Sequence, residues 1–182
     1  MFTIVSEVIA ANANQPHTTI VILSKEDKVY MDDALRETFG KLRKVKIVCR
    51  TGNPSSVADL GIINIQAARS IIVLNSSEDG SDSEAIKTLL AIANIPRKLD
   101  KPYHIVTAVK DPRTLNVIRS IAGDLVEAVL VKDAIARILV QTARQSGLSV
   151  VYAELLDFSG DEIYFHAEPT LAGKTYGDSL LA

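Results

Sequence analysis

Short apolar runs rich in β-branched residues recur along the chain, and segments with helical periodicity separate them. This alternation is typical of βαβ units that build a parallel sheet. The runs are nearly continuous in apolar character, which favours strands covered by helices on both faces. The pattern predicts strands over Thr19 to Leu23, Val45 to Cys49, Ile71 to Leu74, His104 to Val109 and Ala128 to Val131.

Residues suited to capping a helix precede the helical segments. Pro112 follows Asp111 at a position where its missing N–H costs nothing. Glu84 lies three residues after Ser81, as in a capping box. The sequence therefore predicts helix caps at Ser24, Ser56, Ser81 and Asp111.

The first fourteen residues have a helical pattern and not that of a strand. Met1, Ile4, Val5 and Val8 follow the i, i+3, i+4, i+7 spacing of one helix face. A doubly wound dinucleotide-binding fold opens instead with a strand and a glycine-rich turn that binds phosphate. We therefore expect an α/β fold with a Rossmann-like doubly wound parallel sheet, whose first strand and glycine-rich turn would precede residue 1.

Composition and charge exclude several classes of protein. The 182 residues are 47% hydrophobic and carry a net charge of −2, and the longest basic patch is the short run from Lys41 to Lys44, so nucleic acid is not an expected partner. Every apolar run is far shorter than the roughly 18 to 20 residues that span a bilayer, so this part of the chain is not expected to insert into a membrane. The single Cys49 excludes an internal disulfide and indicates a reducing compartment.

An acidic segment follows the third predicted strand. Residues 76–84 contain four carboxylates, whose oxygens suit a hard divalent cation such as calcium, although their spacing is not that of an EF-hand. The alternative is a solvated loop that ends in the Ser81 cap. The candidate metal ligands are Glu78, Asp79, Asp82 and Glu84.

Several stretches then carry a family resemblance, which extends in order over essentially the whole chain. They are residues 48–54, 58–60, 67–74, 133–137 and 155–158. In these stretches the chain resembles the Castor and Pollux ion channels, including their bacterial relatives. The resemblance implies a TrkA-N-like RCK domain (regulator of K+ conductance) at the cytoplasmic face of a membrane. Such a domain senses a ligand without catalysis, assembles into a homo-oligomeric ring and acts on the membrane pore domain of the same full-length chain.

The resemblance also implies a division of the chain. Residues 1–131 would form the Rossmann-like lobe, 132–158 the crossover helices, and 159–182 the start of a smaller C-terminal lobe. A nucleotide is disfavoured as a cofactor of this chain. Ser24 and Lys25 stand where an acidic residue would hold the ribose, with Glu26 and Asp27 one and two positions further, and the expected loss of the phosphate-binding turn weakens nucleotide binding more. Calcium remains the candidate ligand.

The apolar pattern after residue 131 independently indicates association. Asp133 can cap a helix that runs to Ser146, with Gly147 ending it, and a second apolar helix face follows within about ten residues. The alternative is that both helices pack only on their own lobe. The predicted oligomer interface comprises Ile135, Ile138, Leu139, Val151, Tyr152 and Leu155.

The alternative function comes from a different class of protein: the chain would be a fragment of a dinucleotide-binding protein or NAD-dependent oxidoreductase. None of the five tyrosines has a lysine four residues later, and neither a G-x-S-x-G elbow nor an H-E-x-x-H helix occurs. We assign His17, His104 and His166 structural or surface roles, and Cys49 the role of a small buried hydrophobic residue. The chain is therefore not expected to be an enzyme.

Overall fold

A computed structural model describes residues 1–75, 81–158 and 166–179. The strands are β1 (Thr18–Ser24), β2 (Val45–Thr51), β3 (Ile71–Val73), β4 (Ile105–Val109) and β5 (Val126–Leu130). The helices are α1 (Phe2–Ala11), α2 (Lys28–Phe39), α3 (Val57–Ile62), α4 (Ser83–Ala93), α5 (Pro112–Ala122), α6 (Val131–Arg144), α7 (Leu148–Leu156) and α8 (Tyr176–Ser179). Short 3-10 turns cover Ile65–Ala67, Gly123–Leu125 and Pro169–Leu171.

The five strands pair in parallel, which confirms the predicted α/β class, but they form two sheets and not one. β1 pairs with β2, so that Ile20 lies opposite Ile47. β4 lies between β3 and β5 in the second sheet. The split falls between β1 and β3, because no strand of the described residues pairs with the free edge of either.

Each sheet has its own hydrophobic core. Around the three-stranded sheet, the largest fully buried side chains are Leu89, Ile92, Ile105, Ile118 and Val109. Around the two-stranded sheet, a smaller cluster consists of Val5, Met31, Leu35 and Cys49. Burying one such aliphatic side chain contributes about 1.5–3 kcal/mol. Leu23 of β1 packs against the larger cluster, so the two-stranded sheet also contributes to the core of the three-stranded one.

The N-terminal segment is a helix, as its periodicity predicts. α1 directs Val5 into the smaller core. At its first residue the Phe2 ring lies 6.5 Å from the ring of Phe39, centroid to centroid, at the end of α2. α1 therefore covers the two-stranded sheet together with α2.

Two of the four predicted caps are confirmed. The Ser56 hydroxyl accepts the N–H of Asp59 at 3.3 Å, and the Asp111 carboxylate accepts the N–H of Arg113 at 2.9 Å. The prediction at Ser24 is wrong, because this residue ends β1 and Asp27 caps α2 through the N–H of Val29.

The other incorrect cap is Ser81. Asp82 is the N-cap residue of α4, and the Ser81 hydroxyl accepts the N–H of Ser83 and not that of Glu84. The Asp82 side chain is itself buried and accepts N–H groups from the loop after β4. The predicted capping box is therefore not formed.

The first crossover helix begins earlier than predicted. Leu130 ends β5 and serves as the N-cap of α6, so Asp133 lies within the first turn of the helix. Gly147, with a φ of 86°, precedes α7. This left-handed conformation suits glycine and produces the sharp break between the two helices.

Candidate functional site

The carboxyl ends of the strands bring together the loops that bind ligands in open α/β sheets. Asp82 is the central residue of this edge, and its side chain is only 5% exposed. Its carboxylate accepts the backbone N–H groups of Lys110 at 3.1 Å and Asp111 at 3.0 Å. The side-chain amide of Asn75 donates a third hydrogen bond at 3.1 Å. Asp82 thus joins the loop after β3 to the loop after β4.

The pKa of Asp82 reflects this environment. Burial alone would raise the pKa of the carboxyl group. The hydrogen bonds from Asp111, Lys110, Thr114 and Asn75 stabilise the ionised form and together hold the pKa below its ordinary value. Asp82 is therefore a buried carboxylate whose ionised form is stabilised by hydrogen-bond donors of the chain.

An ion pair crosses from the first sheet to the second at the same edge. The Nζ atom of Lys25, which follows β1, lies 2.7 Å from Oε1 of Glu84 in the first turn of α4. Both side chains are more than one third exposed. The pair therefore gives a weak, salt-sensitive connection between the two halves of the fold.

The loop after β2 is held tightly against β1. The Gly52 N–H donates to the Ser24 carbonyl at 2.8 Å, and the Asn53 N–H donates to the Asp59 carboxylate at 2.8 Å. A Cβ at Gly52 would lie 2.9 Å from Cδ1 of Leu23 and 3.2 Å from Cβ of Asp59. A side chain at this position would therefore force Leu23 and Asp59 to shift.

The predicted metal ligands are placed as follows. Glu78 and Asp79 lie outside the described residues. Asp82 is committed to backbone N–H groups, and Glu84 pairs with Lys25. Across the described ranges, no three His, Cys, Asp or Glu side chains are grouped so that they could hold a metal ion. The calcium site stays a prediction.

The predicted oligomer face is apolar and open in the structure. Neither α6 nor α7 contains a buried residue, although the two helices pack against each other. Leu139 is 63% exposed and Ile135 51% exposed on α6, and Val151 is 50% exposed on α7. Leu155 is also exposed, whereas Ile138 and Tyr152 are half-buried. The chain itself covers little of this face.

Cys49 lies in the core, as predicted. Its side chain is 1% exposed and belongs to the cluster around α1 and α2. Burial, together with a hydrogen bond to Asp32, raises the pKa of the Cys49 thiol to about 11. The thiol is therefore protonated at neutral pH and unsuited to nucleophilic chemistry.

Comparison with known proteins assigns the chain to a family. Residues 1–136 match the family described as "Calcium-activated potassium channel slowpoke-like RCK domain". The chain belongs to the slowpoke-like RCK domain family. Residues 132–182 of the chain match a second family, "Castor and Pollux, part of voltage-gated ion channel". The predicted RCK and Castor/Pollux resemblance is thus confirmed.

Individual relatives of the RCK domain come from plants. It is 31% identical over 182 residues to "Probable ion channel CASTOR" of Oryza sativa subsp. japonica, covering 99% of this chain and 20% of that protein. It is 30% identical over 182 residues to "Ion channel CASTOR" of Lotus japonicus, covering 99% of this chain and 21% of that protein. The chain spans about a fifth of the length of these relatives.

The family assignment agrees with a regulatory, non-catalytic domain. Within the part of the chain that the structure describes, no helix has the length and apolar character needed to cross a bilayer.

The sequence pattern alone did not reveal the Asp82 clamp or the Lys25–Glu84 pair. Both join residues that are distant along the chain, by 28 or 29 positions for the clamp and 59 for the pair. The signal available was a carboxylate directly before a helix at a strand end, and the same feature also fits an ordinary helix cap.

Proposed function

We propose that this RCK domain is the ligand-sensing gating element of a Castor/Pollux-type cation channel, at the cytoplasmic face of the membrane. In this proposal copies of the domain associate through α6 and α7 and transmit ligand binding to the pore domain of the full-length chain. The observation that supports it most directly is the uncovered apolar face of these two helices.

The composition of that face supports burial against a second copy. A helix on the surface of a monomer usually buries one apolar stripe and exposes a polar one. Here Leu139 and Val140 of α6 and Val150 and Val151 of α7 are all at least half exposed. A continuous apolar surface of this kind is typical of an interface between protomers.

Ligand control of such an assembly follows from linked equilibria. A ligand shifts the ring between two arrangements only by the difference in its affinity for them. The loops at the carboxyl edge are joined to one another through Asp82, and β5 leads directly into α6. A change at this edge therefore has a short covalent path to the proposed interface.

The divided sheet fits a Rossmann-like lobe whose central strand comes from elsewhere in the full protein. β1 and β3 both have a free edge where the division falls. Val21 of β1 and Ile72 of β3 are exposed, which is unusual for the middle of a doubly wound sheet. One parallel strand paired between β1 and β3 would unite the five strands into a single sheet.

A divalent cation is the proposed ligand class, with the acidic segment as its site. Since Asp82 and Glu84 already have partners, the proposal assigns the ligand role to Glu78 and Asp79 of the same segment. Calcium prefers such oxygen ligands. A nucleotide remains the less favoured ligand, because Ser24 and Lys25 stand at the end of β1 where an acidic residue would hold the ribose, and Lys25 pairs with Glu84.

Light scattering tests the association. The native chain should be a dimer or larger at tens of micromolar, and Leu139→Asp or Val151→Asp should give monomers, because each would bury an unpaired charge. Ile62→Asp is the matched control, since Ile62 is 64% exposed on α3. A native chain that is monomeric at high micromolar concentration, or a control that dissociates equally, would contradict the proposal.

A further inference from the structure

The end of α2 and the start of β2 form a strongly basic surface. Residues 36–46 contain five of the 20 basic residues of the chain and only one of its 22 acidic residues. The whole chain has a net charge of −2, so positive charge is concentrated in this segment. All five basic side chains are exposed, namely Arg36, Lys41, Arg43, Lys44 and Lys46.

These cations have few partners of their own. Arg36 lies 3.7 Å from Asp33 in an exposed pair, and the Nζ atom of Lys44 donates to the Ala13 carbonyl at 3.4 Å. The ion pairs found among the described residues do not involve Lys41, Arg43 or Lys46. Most of the positive charge is therefore available to an external anion.

A surface cavity of about 330 Å³ with a mixed polar and apolar lining opens beside the cations. Phe39, Leu42 and Val45 line it together with Arg36, Lys41 and Asp32, and the Asp32 carboxylate pairs with Lys28. The Phe2 ring, 6.5 Å from the Phe39 ring, extends the aromatic surface at this end of α2. Apolar and cationic groups thus share one surface.

We propose that this surface docks peripherally on a bilayer that contains anionic lipids. The cations would contact the lipid phosphate and carboxylate groups, while the cavity around Phe39 and Leu42 would accept apolar parts of the interface. Basic residues beside apolar and aromatic side chains are the combination that peripheral membrane segments use. The proposal rests on the proposed function, because a channel domain lies close to a bilayer.

Charge complementarity favours a lipid surface over a defined acidic protein segment. The basic side chains are exposed on one short stretch. Within the described ranges, hydrogen bonds and ion pairs hold only Arg36 and Lys44 among them. A fluid layer of headgroups can adapt to such side chains, whereas recognition of one segment depends on anchors held in well-packed pockets. The binding should accordingly depend on surface charge density and on salt.

Vesicle sedimentation tests the docking. The native chain should pellet with phosphatidylcholine vesicles that contain phosphatidylserine, but not with phosphatidylcholine alone, and high salt should release it. Each basic residue near such a surface multiplies the partition coefficient roughly five-fold, so Lys41→Glu with Arg43→Glu should lower it by about 30-fold or more. Leu42→Ser should weaken binding while leaving its dependence on salt unchanged.

A matched control separates the local surface from net charge. Lys98→Glu with Lys101→Glu makes the same change in charge at exposed positions before β4 and should leave vesicle binding nearly unchanged. Three results would overturn the proposal. The control variant could lose as much vesicle binding as Lys41→Glu with Arg43→Glu, the native chain could bind heparin as tightly as it binds the anionic vesicles, or the native chain could fail to pellet with those vesicles. Leu139→Asp should abolish association in light scattering. If that monomer still binds the anionic vesicles, membrane docking does not depend on association, and the two proposals are tested independently.

Discussion

The carboxylate of Asp82, the N-cap residue of α4, accepts the backbone N–H of Asp111, the N-cap residue of α5, at 3.0 Å. One buried side chain therefore fixes the starting points of two consecutive helices relative to each other. The same carboxylate also accepts the N–H of Lys110, so the whole turn after β4 is oriented by it.

Removal of this side chain should destabilise the domain. Asp82→Ala leaves the N–H groups of Lys110 and Asp111 without their acceptor, and we expect the free energy of unfolding to fall by about 2–4 kcal/mol. Urea denaturation measures the change. Asp100→Ala, at an exposed position before β4, is the control and should stay within about 0.5 kcal/mol of the native chain. Similar losses in both variants would contradict the role of the clamp.

The clamp should also make stability depend on pH. The folded state holds the pKa of Asp82 below its ordinary value, so its contribution is fully present above the unfolded pKa of about 3.9. It is lost as the pH falls through the lower pKa of the folded state. The difference in unfolding free energy between the native chain and Asp82→Asn should therefore be constant from about pH 5 to 7 and shrink below about pH 4. If the difference in unfolding free energy between the two proteins grew as the pH fell, the pKa of Asp82 would be raised in the folded state and not lowered.

Gly52→Ala should destabilise the junction of β1 and β2. The added methyl group would approach Leu23 and Asp59 too closely, and we expect a cost of about 1–3 kcal/mol in thermal or urea unfolding. Gly61→Ala is the matched control, because no atom lies within 4 Å of the added Cβ and α3 should gain about 0.5–1 kcal/mol. We expect the unfolding free energy to fall in Gly52→Ala and to rise in Gly61→Ala. A change in the same direction in both variants would contradict the close packing at Gly52.

The Lys25–Glu84 pair should contribute little at physiological salt. A double-mutant cycle with Lys25→Ala and Glu84→Ala should give a coupling of about 0.2–1 kcal/mol, because both side chains are substantially exposed. The cycle removes the effect of other contacts made by Glu84. Repeating it in 1 M salt should abolish the coupling, and a coupling that resists salt would indicate a buried connection between the sheets.

Calcium should raise the melting temperature more than sodium of equal ionic strength if the acidic segment binds it. A ligand that binds only the folded state stabilises that state by mass action. Glu78→Gln with Asp79→Asn should remove the extra shift while leaving the Asp82 clamp intact. Equal shifts in calcium and sodium would exclude the site without affecting the family assignment.

The general class of the fold was predictable from the sequence because it depends on local patterns. Apolar runs flanked by capping residues predicted all five strands, with ends that differ by at most two residues from those observed. The start of α2 was missed because Ser24 and Asp27 are both good caps, and only the actual turn after β1 decides between them. The division into two sheets could not be predicted, because it depends on which strand edges meet in space.

The apolar face of α6 and α7 was accessible to prediction for the same reason, since helical periodicity is local. The hydrogen bonding at the carboxyl ends of the strands could not be predicted from the sequence. Asp82 is one of several acidic residues in its segment, and its burial arises only when the turn after β4 folds against it. Charge composition predicted a metal ligand there, whereas the tertiary structure gives this carboxylate two backbone N–H donors and the side-chain amide of Asn75.

The direct passage from β5 to α6 has a mechanical consequence. Leu130 is the last residue of the strand and Val131 the first of the helix, so no linker provides slack between them. A rotation of α6 would therefore displace β5, the end strand of the three-stranded sheet. A flexible glycine insertion at this joint would therefore uncouple movements of α6 from those of the three-stranded sheet, while leaving both elements folded.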